Sequence, residues 1–263
     1  TSSKEVYPWL GQFPGMREWI GPRQINNLIV HDFSIENAKF EDTIGIPRTK
    51  IEDDEYGIFS NFFEDMGKAA SAKPDELVTS LLKNGFTRNC YDGQFFFDTD
   101  HPVKPHSGSP TSVSNMQAGA GEPWFLLDCS RAMKPLIWQD RIPFDNLVKL
   151  DRDTDSNVFL RDEYLYGIRG RGNAGYGLWQ MAFGSKAPLN AANYEAARNA
   201  MGALKGDEDR PLGITPDTLV VSPNLEGAAK RILNNGIRTE LVRHDLAERG
   251  RRVHVTDGSP AMT

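Results

Sequence analysis

The stretch "KFEDTIGIPRTKIEDDEYGIFSNFFEDMGKAASAKPDELVTSLLKNG", residues 39–85, changes its hydrophobic period partway along, and that change decides the fold class. Up to Ile46 the period is two. Phe40, Ile44 and Ile46 share a face with Asp42, and upstream of "ENAK" Ile29, His31, Phe33 and Ile35 alternate in the same way. Alternation is the pattern of extended strands, so residues 23–56 read as a long β-hairpin whose arms, at strand rise, reach roughly 33 Å for about ten residues. A two-stranded ribbon is marginal alone because nothing covers its apolar face. From Phe59 onward the steps become three, four and seven: Phe59, Phe63, Met66, Ala70, Leu77 and Leu81 make the stripe of an amphipathic helix over 57–84. Acidic residues between Glu52 and Glu55 suit its positive end, and Asn84-Gly85 closes it. Pro74 removes one backbone donor and predicts either a kink or a restart at Lys73-Pro74-Asp75-Glu76; the stripe stays in phase either way.

Outward from this stretch, residues 1–22 read as an extended arm whose Trp9, Phe13 and Trp19 need cover. Residues 101–123, rich in proline, glycine and serine, read as a long surface loop. "WFLLD", "KPLIWQ", "EYLYGIR" and "YGLWQMAFG" are short strand-like runs, and the last third alternates a helix over 190–204, a strand in "DTLVVSP" and a helix ended by Asn235-Gly236. A strand-rich first part with one long helix, followed by a small α/β unit, reads as an α+β chain.

With 263 residues, 39 % hydrophobic and 25 % charged, the chain has ample material for a core. A net charge of −6 with a pI near 5.4 argues against a dedicated nucleic-acid binder. The basic residues between Lys230 and Arg252 are interrupted by Glu240, Asp245 and Glu248, as on a solvated face. Two cysteines, Cys90 and Cys129, stand in no metal-binding spacing and read as buried thiols of a reducing compartment. No apolar run is long enough to span a bilayer.

The stretch most suggestive of chemistry is "FFFDTDHPV", residues 95–103. On an extended chain Asp98 and Asp100 project to one side and could share a hard cation, with His101 facing away. The alternative is a strand running into a turn, where carboxylates accept backbone N–H bonds and Pro102 holds His101 extended. Gly170, Gly172 and Gly175 in "GRGNAG" spell GxGxxG, but an aromatic, strand-like run follows where a dinucleotide fold needs a helix N-terminus, so a hairpin turn is the preferred reading. GxSxG, GxxxxGK[ST], HExxH and CxxC pairs are lacking.

An arm, a ribbon that cannot stand alone, a long helix, a sheet and an α/β unit suit a building block better than an enzyme. "YPWLGQFPGMREWIGPR", "KFEDTIGIPRTKIEDDEYG", "KPDELVTSLLKNG", "CYDGQFFFDTDHPV", "SVSNM", "EYLYGIRGRGNAGYGLWQMAFGSKAPLNAANYEAAR" and "DTLVVSPNLEGAAKRIL", in this order from Tyr7 to about Asn235, resemble the major head subunit (gpT) family of Mu-like phages and prophages. That resemblance implies the Hong Kong 97-like major capsid fold: N-terminal arm 1–22, extended loop 23–56, peripheral domain 57–187 with a spine helix at 57–84, and axial domain 188–263. The family's closing apolar strand is not matched by "VTDGSPAMT", which leaves two expectations: the axial domain is incomplete at its C-terminal end, or the closing strand is replaced. It further implies a non-enzyme without cofactors that assembles in the host cytoplasm into hexamers and pentamers of an icosahedral virion shell. Its partners would be its own copies, packaged double-stranded DNA held non-specifically, and scaffold or decoration proteins, with no membrane. Trp9, Phe13, Trp19, Phe33, Ile35, Phe40 and Ile44 are the expected subunit-interface residues. The competing expectations are a metal-dependent hydrolase centred on Asp98, Asp100 and His101, and a tail or connector subunit.

Overall fold

The computed structural model describes residues 4–10, 30–54, 57–105, 109–206, 209, 211–234 and 240–243. Phe13, Trp19, the Asn235-Gly236 helix stop and most of the basic C-terminal cluster lie outside them; Trp9 and Phe33 fall within strands β1 (Lys4–Leu10) and β2 (Val30–Glu36). The chain divides into two compact units. One comprises residues 1–5, 35–78 and 138–175, the other residues 6–34, 79–137 and 176–263.

The expected hairpin does not form. Only Asn37 separates β2 from β3 (Ala38–Pro47), one residue fewer than the shortest common hairpin loop. Strand β2 pairs with β1, while β3 runs antiparallel to β10 (Glu163–Tyr176), with Glu163 opposite Pro47 and Gly172 opposite Ala38. Strand β10 also pairs with β8 (Leu136–Ile142) and β9 (Leu147–Leu150). A short helix α1 (Arg48–Glu52) follows β3, where Arg48 binds Glu52 at 2.7 Å and Asp153 at 2.9 Å.

The "GRGNAG" glycines lie inside β10, which is continuous, so neither a nucleotide loop nor the expected turn is present. Tyr166, Ile168, Gly170 and Gly172 form its buried face at the strand period. A Cβ at Gly170 would run into the Phe144 ring, and one at Gly172 would sit 2.7 Å from Trp138. These glycines let two large rings lie directly on the strand backbone.

Helix α2 (Ile58–Lys83) is a single helix with Pro74 inside it, so no restart occurs. Asp54 accepts from the backbone N–H of Ile58 at 3.1 Å and Phe59 at 3.4 Å, satisfying two donors that have no intrahelical partner. The predicted stripe is its sheltered side: Met66 and Leu81 are buried and Phe59, Phe63, Ala70 and Leu77 are half-buried. Phe63 packs on Tyr166 with ring centres 4.5 Å apart.

The second unit is organised by a five-stranded sheet in the order β13-β12-β7-β11-β6: β13 (Glu240–Arg243), β12 (Thr218–Val221), β7 (Trp124–Leu127), β11 (Ala182–Ser185) and β6 (Met116–Gln117). Every residue of β7, β11 and β12 is buried, Ser185 and Thr218 included, so these strands are covered on both faces. Helix α4 (Ala191–Gly202) buries Tyr194, Ala197 and Met201, and its N-terminal Asn190 accepts from Asn193 N–H. Helix α5 (Glu226–Asn234) connects the parallel strands β12 and β13. The boundary expected at 187/188 does not divide the chain, because β11 on one side of it and β12 on the other flank the same strand, β7.

The presumed loop 101–123 also holds structure: β4 (His101–Val103) pairs antiparallel with β5 (Thr111–Val113), and β6 completes the sheet. Asn115, fully buried, joins three segments. Its amide donates to the carbonyls of Phe96 (2.8 Å), Trp179 (3.3 Å) and Ala182 (3.3 Å), and its Oδ1 accepts from Asp98 N–H at 2.9 Å. Around it Phe86, Phe97 and Phe125 cluster with ring centres 5.0 to 6.0 Å apart, and Phe96 stacks on Tyr176 at 4.3 Å.

Candidate functional site

The three phenylalanines before "DTDH" separate by environment: Phe96 and Phe97 are buried and Phe95 is exposed. The chain must therefore turn immediately afterwards. Asp98 makes that turn, accepting from Phe95 N–H at 3.2 Å and from its neighbour Thr99 N–H at 2.7 Å. Asp98 and Asp100 do not converge with His101 on a shared centre, which leaves the hydrolase reading without support.

His101 is engaged elsewhere. Residues 88–97 fold back on themselves, with Cys90 N–H donating to Gln94 O at 2.8 Å and Phe96 N–H to Arg88 O at 3.0 Å. Gly93 at the tip takes φ +87°, which a side chain would resist. Asp92, beside that glycine, accepts the Cys90 thiol at 3.0 Å and Gln94 N–H at 3.1 Å through Oδ1, and meets His101 Nδ1 at 2.7 Å through Oδ2. An ionised carboxylate can only accept, so Nδ1 carries the proton. The imidazole, wholly buried, stacks on Trp179 at 3.9 Å and 9°.

Burial pulls the Asp92 carboxyl upward, but the hydrogen bonds from His101, Cys90 and Gln94 together hold it below its ordinary value. Burial, then the hydrogen bond to Asp92 and that residue's charge, push the Cys90 thiol up. The order is thiol, carboxylate, imidazole. A cysteine nucleophile needs the imidazole next to sulfur; here the carboxylate stands between them and keeps the thiol protonated.

The other unusual feature belongs to the first unit. Strand β9, "LVKL", exposes Leu147, Val148 and Leu150, and helix α3 (Ser156–Arg161) presents Phe159 at 81 % exposure and Leu160 at 75 %. The helix is tied down from beneath. Buried Asn157 donates to Leu150 O at 3.0 Å and Glu163 O at 2.7 Å, Val158 packs inward, and Asp162 reverses the chain at φ 52°. Two inward residues on a one-and-a-half-turn helix leave the next two facing water. The sequence expectation placed the interface elsewhere. Ile35 is buried against its own chain beside Gly175, and Phe40 and Ile44 are half-buried, Phe40 lying 5.8 Å from Phe144 and beneath Lys73 Nζ at 5.4 Å. Spacing alone could not tell a face covered by other side chains of the same chain from one left open.

A long helix, a strand system around β3 and β10, and a separate α/β sheet define the Hong Kong 97-like class of phage major capsid proteins. The solved procapsid of bacteriophage JBD30 matches with a TM-score of 0.74 and 47 % identity, over 88 % of this chain and 79 % of that one. The chain belongs to the Mu-like prophage major head subunit gpT family, whose model matches residues 1–248. The major capsid protein of Escherichia phage Mu is 44 % identical over 240 residues, 89 % of this chain and 78 % of its own. The Mu-like prophage FluMu major head subunit of Haemophilus influenzae is 44 % identical over 247 residues, 91 % of this chain and 80 % of its own. These similar proteins are structural. Among the described residues no helix is long and apolar enough to cross a membrane.

Proposed function

We propose that copies of this chain assemble in the host cytoplasm into hexamers and pentamers of an icosahedral shell that encloses double-stranded DNA. The DNA is held without base recognition, in keeping with a net charge of −6. Scaffold or decoration proteins are its further partners. The observation that supports assembly through named residues is the apolar surface of β9 and α3, which a second copy covers. Contiguous exposed apolar groups on a soluble protein mark contact sites, and covering each Phe or Leu contributes about 1.5–3 kcal/mol. In a lattice that contribution recurs in every subunit.

The test is the pair Phe159→Asp and Leu160→Asp, made together. Both side chains lie in water, so circular dichroism and the melting temperature of the free subunit should be unchanged. Negative-stain images should lose the shells or hexameric sheets formed by the parent. Undiminished shells would remove this surface from the assembly, and tubes or single rings from the parent protein would overturn the shell itself.

A further inference from the structure

We propose that Cys90, Asp92 and His101 form a binding site for one divalent transition metal of the zinc type, with water as the fourth ligand. The thiol sulfur, a carboxylate oxygen and an imidazole nitrogen all lie within 4.8 Å of one another. Two of the separations are already short, 3.0 Å from Sγ to Oδ1 and 2.7 Å from Nδ1 to Oδ2. A tetrahedral zinc ion with ligand bonds of about 2.0–2.3 Å needs its donors roughly 3.3–3.7 Å apart. The two short pairs therefore have to open by less than about an ångström, while the sulfur and the imidazole nitrogen, within 4.8 Å, settle to the same spacing.

The donor set also selects the ion. One sulfur and one imidazole favour zinc, cobalt or copper over magnesium and calcium, which prefer all-oxygen shells. The charges close as well. The thiol releases its proton to solvent on binding, so that thiolate and carboxylate balance a dication in a half-buried setting. The imidazole moves its proton from Nδ1 to Nε2 as Nδ1 takes the metal. Nε2 is buried and has no hydrogen-bond partner, so no donor competes for it, and the Nδ1–H···Oδ2 bond is exchanged for bonds from both groups to the metal. Trp179 fixes the ring plane by stacking in both states. Cys90 and Asp92 border the Gly93 tip and are only partly buried, which gives an ion its route in. The consequence is structural: a metal would pin the 90–94 turn to the start of β4, twelve residues of chain from Cys90 to His101 closed by one centre.

The full chain, stripped with a chelator under reducing conditions, is titrated with Co²⁺ and then with Zn²⁺. The expected result is one equivalent of Co²⁺ giving visible d–d bands and a near-ultraviolet thiolate-to-cobalt charge-transfer band, displaced by Zn²⁺. Cys90→Ser should abolish the charge-transfer band, Asp92→Asn should weaken binding by about tenfold or more, and Cys129→Ser should leave both unchanged. Zn²⁺ should also raise the melting temperature of the parent and not of Cys90→Ser, which reports binding without relying on the cobalt spectrum. No charge-transfer band at millimolar Co²⁺, or a band that survives in Cys90→Ser, would overturn the site.

Discussion

Replacing Asn115 with leucine is expected to lower the unfolding free energy by about 3–5 kcal/mol, a large part of the total a domain of this size holds. The side chain is fully buried and ties the residue just before β6 to two segments that are far apart in sequence, the 96–98 turn and residues 179–182. Its backbone is committed too, donating to Asp98 O at 3.1 Å and accepting from Gly184 N–H at 3.0 Å. Leucine fits the volume but supplies neither donor nor acceptor. Asp98 N–H loses its side-chain acceptor and the Phe96 carbonyl its donor, and each buried polar group left alone costs about 1–3 kcal/mol. Urea denaturation of the unassembled subunit measures this directly through the midpoint at constant slope. A loss below about 1 kcal/mol would mean that the neighbouring strands re-satisfy these groups without Asn115.

The same residue shows where sequence reading stops. Asn115 sits in a run of small and polar residues with no period, and its value arises only because Phe96, Trp179 and Ala182 arrive from elsewhere. Strands of two or three residues such as β4, β5 and β6 carry too few positions to display alternation. Helix α2 was legible because a stripe sampled over seven turns averages out exceptions, Pro74 among them. Strand β3 was legible as a strand, yet its partner was not: the pairing with β10 spans over a hundred residues, and nothing local encodes it.

The site residues divide on the same physical line. "DTDH" is a cluster only along the chain, because adjacency on an extended backbone sends neighbouring side chains to opposite faces. His101 instead meets Asp92 and Cys90, brought back by the fold at Gly93. The tight turn residues "DG" at 92–93 were the available signal. For the outer surface the signal was "NVFLR", residues 157–161, an apolar group between charged residues on a helix too short to hide both Val158 and Phe159.

The glycines of "GRGNAG" offer a prediction that separates a packing role from a ligand-binding one. Gly172→Ala should destabilise the protein by about 2–3 kcal/mol, because the added methyl would lie 2.7 Å from Trp138 and 2.8 Å from the backbone carbonyl of Gln139. That corresponds to a melting temperature lower by roughly 5–10 °C. Gly170→Ala meets a different obstacle, since its nearest atoms all belong to the Phe144 ring. A side chain can be shortened and a strand carbonyl cannot. Phe144→Leu should therefore recover most of the stability lost in Gly170→Ala, whereas Trp138→Leu should fail to rescue Gly172→Ala. Calorimetry on the two double-mutant cycles reads the difference as a coupling energy. Equal rescue in both cycles would show that β8 slides away from β10 to make room, and that the close approach of these strands is not what selects glycine. Unchanged stability in both single variants would remove the packing account altogether, and with it the reason a ring-covered strand here spells a nucleotide motif.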